Sequence, residues 1–325
     1  MKEVYIIDAV RTPIGKFGGS LKDTRPDDLA ALLISEIVKR NFEINNIPKE
    51  EIEDVILGNA NGAGEENRNV ARMSVLLGGL PVTVGGVTVN RLCGSGMQAF
   101  IDGVRGIRNG EGECFLTGGV ESMTRAPFVL AKNSEPFGRK VEMFDTTIGW
   151  RFINSKLSKL YHPYSMGETA ENVAEKYKIS RESQDEFAFN SQMKTKAAIE
   201  SGKFNNETIP VDIKLKKETV KFEKDEFARF DTTMESLSKL KPAFREGGTV
   251  TAGNSSGIND GASLLMIASE DFVKKHNLKP RARFISSAIA GVDPSCMGIG
   301  PVPATKKALE RAGLKLNDID LIELN

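Results

Sequence analysis

The chain has no excess of either charge: Lys+Arg and Asp+Glu stand at 44 each in 325 residues. Without a net positive field, neither a nucleic acid nor an anionic membrane is an expected partner. Cysteine is scarce. Cys93, Cys114 and Cys296 are odd in number and far apart, which excludes a disulfide framework and points to a reducing compartment. No apolar run approaches the length of a membrane span. The start, Met1 to Asp8, enters a strand at once, without the charged leader and apolar core of a secretory signal. A cytoplasmic protein is expected. What is present, 40% hydrophobic and 27% charged residues, suits a globular chain of two domains, or of one domain with a large insertion.

Among the three cysteines Cys93 is placed for chemistry. The run Gly86-Val87-Thr88-Val89-Asn90 before it is β-branched, and Met97, Phe100, Ile101, Val104 and Ile107 after it fall at helical spacing, so Cys93 joins a strand to a helix. At a helix N-terminus the backbone N–H groups and the helix dipole favour a thiolate nucleophile. Gly94 and Gly96 leave room for a ligand. Cys114, in the apolar run Cys114-Phe115-Leu116-Thr117, reads as a core residue, and Cys296 lies in a loop rich in Pro and Gly.

Strand and helix patterns alternate from Val4 to Gly119, with a helix opened by Pro26-Asp27-Asp28, a strand Asp54–Asn59, a helix from about Asn69 to Leu77, and a strand Cys114–Gly119. This predicts an α/β layered domain with a mainly parallel sheet. The plan begins again near the end, with a strand Ala282–Ser287, a helix Pro303–Arg311 and a strand within Asn317–Asn325 that reads like Ile52–Asn59. By that alignment Asn325 matches Asn59, and roughly sixty residues of a second half are absent. Between the copies lies a more charged segment, with an amphipathic helix at about Ser180–Ser201 and a lysine-dense hairpin or loop at Lys214–Lys224.

Asn90-Arg91-Leu92-Cys93-Gly94-Ser95-Gly96 resembles the nucleophile motif of the thiolase family. Gly118-Gly119-Val120-Glu121-Ser122-Met123-Thr124, Met166-Gly167-Glu168-Thr169-Ala170-Glu171-Asn172-Val173-Ala174 and Thr251-Ala252-Gly253-Asn254-Ser255-Ser256-Gly257 resemble the same family in the same order, so the likeness covers the whole chain. It implies a duplicated layered α/β core with an inserted loop domain and an incomplete second half. The divisions are 1–124, 125–249 for the insertion over the site, and 250–325. It also implies acyl transfer: Cys93 takes an acyl group from a coenzyme A thioester, and a second thioester or a thiol accepts it, forming or cleaving a 3-oxoacyl-CoA. No metal or prosthetic group is implied, only coenzyme A thioesters as substrates. Leu157, Met166, Arg229, Phe244, Ala252 and Ser256 match coenzyme A contacts, and Asn325 matches an asparagine that holds a water in an oxyanion hole. Arg229 brings a planar, permanent charge suited to phosphate or adenine.

The sequence departs from the family in its bases. Thiolases carry a histidine in Gly-His-Pro and a second cysteine in Cys-x-Gly. Here the histidines are His162 and His276, neither in that setting, and no cysteine follows Cys296. The expectation is a C-terminally shortened chain with impaired turnover and an incompletely paired second half, working as a homo-oligomer or with a complementing C-terminal piece. The competing reading is a non-catalytic coenzyme A-binding or subunit-interaction fragment of a split thiolase. A ketoacyl synthase shares the cysteine chemistry but has no need of the insertion carrying Met166-Gly167-Glu168-Thr169. Many biosynthetic members have histidine where Ser165 stands, and Phe144–Phe152 resembles degradative members acting on 3-oxoadipyl or other 3-oxoacyl thioesters.

Overall fold

A computed structural model describes residues 2–325. In chain order the elements are β1 (Val4–Arg11), β2 (Gly15–Lys16), α1 (Pro26–Ile37), β3 (Asp54–Gly58), α2 (Val70–Leu77), β4 (Gly85–Val89), α3 (Ser95–Asn109) and β5 (Cys114–Ser122). There follow β6 (Phe128–Leu130), β7 (Met143–Asp145), α4 (Ser155–Leu160), α5 (Met166–Tyr177), α6 (Arg181–Glu200), β8 (Val211–Lys214), β9 (Thr219–Phe222) and α7 (Met234–Ser238). The last are β10 (Asn259–Ser269), α8 (Glu270–Lys275), β11 (Ala282–Arg283) and α9 (Pro301–Ala312). The chain divides into two compact units. The first takes the chain up to Arg151 with Thr195–Ala228 and Gly257–Phe284; the second takes Phe152–Lys194, Arg229–Ser256 and Ile285–Asn325.

The first unit holds a seven-stranded sheet in the order β11-β1-β10-β5-β3-β4, with β2 paired to β10. Strand alternation sends side chains to opposite faces. Val55, Leu57, Leu116, Leu264 and Met266 meet α1 and α2 through Leu29, Leu33, Ile34, Val70 and Val75 on one face. Ile56, Phe115 and Ile267 meet Ala99, Val104 and Ile107 of α3 on the other. This is a layered α/β core, helices on both faces of one sheet. Each fully buried Leu, Ile or Met contributes about 1.5–3 kcal/mol, so the sheet's centre carries much of the stability.

The sheet is mixed rather than mainly parallel. β3 runs parallel to β4 and β5, but β10 lies antiparallel to both β1 and β5. An alternating pattern marks a strand and its buried face while leaving its direction open, and the strand that separates β1 from β5 comes from far along the chain. The strand expected over Ala282–Ser287 shrinks to Ala282–Arg283 at the sheet's edge. The one expected near the end does not form: a 3-10 turn over Leu316–Asp318 is followed by chain that joins no strand ladder among the described residues, and Leu321, Ile322 and Leu324 are exposed. Apolar alternation makes a strand only where a neighbour completes its hydrogen bonds. The long helix of the insertion is present as α6, but its described residues bury Asp185 alone, so it lacks the packed apolar face expected of it. The lysine-dense piece is a hairpin, Val211 pairing with Phe222 and Lys214 with Thr219.

Candidate active site

Cys93 is exposed and stands two residues before α3, in a turn whose conformation is held from several sides. Leu92, just before it, has φ 51°, the left-handed region that a branched side chain rarely adopts. Ser95 secures this backbone. Its Oγ accepts from the Arg91 N–H at 2.8 Å and donates to the Leu92 carbonyl at 2.5 Å. Gly94 N–H donates to the Arg91 carbonyl at 3.1 Å, and the Arg91 Nε–H to Gln98 Oε1 at 2.8 Å. Beneath the turn, α3 approaches the sheet at backbone distance. A side chain at Gly58, the last residue of β3, would overlap the carbonyl carbon of Ser95 and the nitrogen of Gly96.

Beside the turn, the loop after β3 wraps around Glu121 at the end of β5. The Glu121 carboxylate accepts from Ala60 N–H at 2.7 Å, and from Asn61 N–H and Asn59 Nδ2 at 3.2 Å each. Asn59, buried, also donates to the Val120 carbonyl at 2.9 Å and accepts from Gly62 N–H at 2.8 Å. Burial raises the Glu121 carboxyl above its ordinary value, and the N–H groups of Ala60 and Asn61 draw it part of the way back. Cys114 lies fully buried in the same sheet, where desolvation pushes its thiol far up and makes it inert, as its apolar run foretold.

The six residues matched to coenzyme A contacts all fall in the second unit, as do Cys296 and Asn325. Leu157, Met166 and Phe244 are large apolar side chains left exposed, and Phe244 packs its ring onto Gly167 at the start of α5. Phe244 also lines a shallow hollow of about 450 Å³ with Lys241 and Arg245. Arg229 is exposed, its N–H bonded to Gln192 Oε1 at 2.8 Å. Ala252 and Ser256 are exposed on a loop tied down by two buried carboxylates. Glu171 accepts from the N–H of Thr249 at 2.9 Å and of Val250 at 2.7 Å, and from the Thr249 hydroxyl at 3.1 Å. Asp185, bridged to Arg181, accepts from Asn254 Nδ2 at 2.9 Å. The Ser255 hydroxyl in this loop is buried without a partner.

Ser165 caps α5: its Oγ accepts from Glu168 N–H and Glu168 Oε2 accepts from Ser165 N–H, the reciprocal arrangement that a Ser-x-x-Glu spacing announces. His162 is an exposed loop residue, its ring 4.5 Å from that of Tyr164. Cys296 is buried in a 3-10 segment, Pro294–Ile299, where Asn172 Nδ2 holds the neighbouring Ser295 carbonyl at 2.9 Å. Asn325 is exposed and outside any strand, unlike the buried Asn59 to which the repeat aligned it. Sequence reasoning passed over Asn59, Asn90, Glu121, Glu171 and Asp185. Three of these, Asn90, Glu121 and Glu171, sit inside the motifs quoted for the resemblance, and a buried-carboxylate reading of those motifs would have found two. Among the described residues no group of three or more His, Cys, Asp or Glu side chains is arranged to hold a metal ion, and no helix is long and apolar enough to cross a membrane.

The geometry therefore offers an exposed, positioned thiol in one unit and a small-residue loop with exposed apolar neighbours in the other. Known proteins give this arrangement its family. Residues 4–271 match the model of the thiolase N-terminal domain, and residues 278–325 that of the thiolase C-terminal domain. A 3-oxoadipyl-CoA/3-oxo-5,6-dehydrosuberyl-CoA thiolase of Escherichia coli K12 is 54% identical over 326 residues, an alignment covering 100% of this chain and 80% of that protein. The crystal structure of the Bacillus anthracis acetyl-CoA acetyltransferase superposes with a TM-score of 0.90 at 42% identity, over 99% of this chain and 79% of the other. That of human mitochondrial 3-ketoacyl-CoA thiolase in complex with CoA gives 0.88 at 41% identity, over 98% and 78%. Matched by both domain models and sharing more than half its residues with such a relative, the chain belongs to the thiolase family of acyltransferases.

Proposed function

We propose that this chain forms or cleaves a 3-oxoacyl-CoA through an acyl-sulfur intermediate on Cys93, with substrates of the 3-oxoadipyl class. The observation that carries the reading is the exposed Cys93 thiol, set at the mouth of α3 by a left-handed Leu92 and the Ser95 hydroxyl. In the cleaving direction the Cys93 sulfur attacks the 3-oxo carbonyl, the bond between the α and β carbons breaks, and the shortened acyl group stays on sulfur until coenzyme A thiol removes it. The released α-carbon takes up one proton, balancing the proton given up by the Cys93 thiol, and leaves as an acyl-CoA.

Leu157, Met166, Arg229, Phe244, Ala252 and Ser256 are the proposed coenzyme A contacts. Exposed apolar side chains suit the pantetheine arm, a guanidinium suits phosphate, and small residues at 252 and 256 permit close backbone approach. Asn325 keeps its proposed role beside an oxyanion. The substrate class is supported by the 54% identity to a 3-oxoadipyl-CoA thiolase and by the Phe144–Phe152 segment. The division at residues 124 and 249, a homo-oligomeric state and a cytoplasmic location, in keeping with three free cysteines, complete the proposal.

Intact-mass and peptide-mass measurement after mixing the purified chain with acetyl-CoA or 3-oxoadipyl-CoA tests it. An acyl adduct on Cys93, absent from Cys93→Ser and discharged by free coenzyme A, is expected. Acyl transfer that survives Cys93→Ser would overturn the assignment.

A further inference from the structure

A continuous run of hydrogen bonds leads from the end of β5 to the nucleophile turn. Glu121 accepts from Ala60 N–H at 2.7 Å; the Ala60 carbonyl accepts from Asn90 Nδ2 at 2.8 Å; Asn90 Oδ1 accepts from Leu92 N–H at 2.8 Å. Leu92, in the strained left-handed conformation, is followed directly by Cys93. A left-handed leucine persists only where its surroundings over-determine it, and strain of this kind gathers where a side chain must be aimed. From the helix side the turn is held by Ser95, through its contacts with Arg91 and Leu92, and by Gln98, through Arg91. From the sheet side Asn90 is the connection. The loop it reaches is rigid because Asn59, Ala60 and Asn61 all converge on Glu121, and because Asn59 N–H also holds the Val89 carbonyl at 3.1 Å.

We infer that Asn90 and Glu121 are positioning residues for the reaction: Asn90 couples the Cys93 turn to the sheet, and Glu121 anchors the loop to which Asn90 is coupled. The inference rests on Cys93 being the nucleophile. Asn90 is exposed, so its replacement removes hydrogen bonds without opening the core. Neither residue touches the sulfur. They act by holding the turn that places it at the mouth of α3.

Alkylation by iodoacetamide between pH 6 and 9, with the modified residue identified by peptide mass spectrometry, tests both layers. Wild type, Asn90→Ser, Asn90→Ala, Glu121→Gln and Cys93→Ser are compared, with circular dichroism showing that each is folded. Serine at position 90 can still accept the Leu92 N–H across a short turn but cannot reach Ala60. The expected result is that Asn90→Ser and Asn90→Ala both alkylate Cys93 more slowly than wild type, by about threefold or more at pH 7. Glu121→Gln is slowed in the same way if it folds; the two Asn90 variants carry the test if it does not. Unchanged rates and profiles in both Asn90 variants would overturn the inference, and so would an Asn90→Ser that behaves as wild type while Asn90→Ala does not, since the turn would then be local. Wild-type modification that spares Cys93 would instead defeat the nucleophile assignment, so the two failures are distinguishable.

Discussion

Glu171 illustrates how one residue can set the shape of a loop it does not belong to. Its buried carboxylate collects the N–H groups of Thr249 and Val250 and the Thr249 hydroxyl, and so fixes the entry to the loop bearing Ala252 and Ser256. Glu171→Ala leaves the buried Val250 N–H and the half-buried Thr249 donors without an acceptor, an expected loss of about 2 kcal/mol in urea-induced unfolding. On the coenzyme A reading it also weakens coenzyme A binding in calorimetry, while Glu171→Gln, which keeps one acceptor oxygen, costs less. Equal unfolding free energies for wild type and Glu171→Ala would refute this role. The motif containing Glu171 was legible in the sequence, but its work was not, because the partners lie 78 and 79 residues away and no local periodicity records them. The same holds for Glu121 and Asn59, whereas Cys93 was legible because its strand, turn and helix are contiguous.

At the scale of elements, two contacts hold together the segments that flank β3 and β5. The first is the backbone approach of β3 to α3 at Gly58, where neighbouring atoms are main chain and cannot swing aside. Gly58→Ala is expected to cost about 1–3 kcal/mol by overpacking, to lower the midpoint of thermal unfolding and to slow Cys93 alkylation. An unchanged midpoint would mean that the seam has slack. The second is the pairing of Glu65, in the loop after β3, with Arg125, just beyond β5: two bonds of 2.6 Å, with Arg25 adding a third at 3.1 Å. The Arg125 hydrogen bonds hold the Glu65 carboxyl below its ordinary 4.5. A group depressed in the folded state stabilises above its ordinary value, and that contribution is lost as pH falls through the depressed one. Wild type should therefore exceed Glu65→Gln by about 1 kcal/mol near pH 6, the difference shrinking on acidification below 4.5. A difference that grows towards low pH would reverse the sign. The helices of this region were foreseen closely, since caps and apolar spacing are local. The strands at the far end were not, since a strand is stabilised by its neighbours rather than by its own pattern.

For the molecule as a whole, the layered α/β core was legible from alternating patterns, and the mixed direction of its sheet was not. β10 occupies the middle of that sheet, pairing Val4 with Ser269 on one side and Ala268 with Cys114 on the other. That placement has a consequence for how the chain is made. When synthesis has passed β5, β1, β3, β4 and β5 and the helices α1, α2 and α3 already exist, but the slot between β1 and β5 is open, and two strands expose unsatisfied backbone edges to the cell. The gap closes only after residue 269 has left the ribosome. Until then the nascent chain carries a split sheet with apolar faces partly uncovered, the condition in which chains seek wrong partners or a chaperone. Closure over so long a separation is entropically slow, so the arrival of β10 sets the pace at which this protein becomes itself.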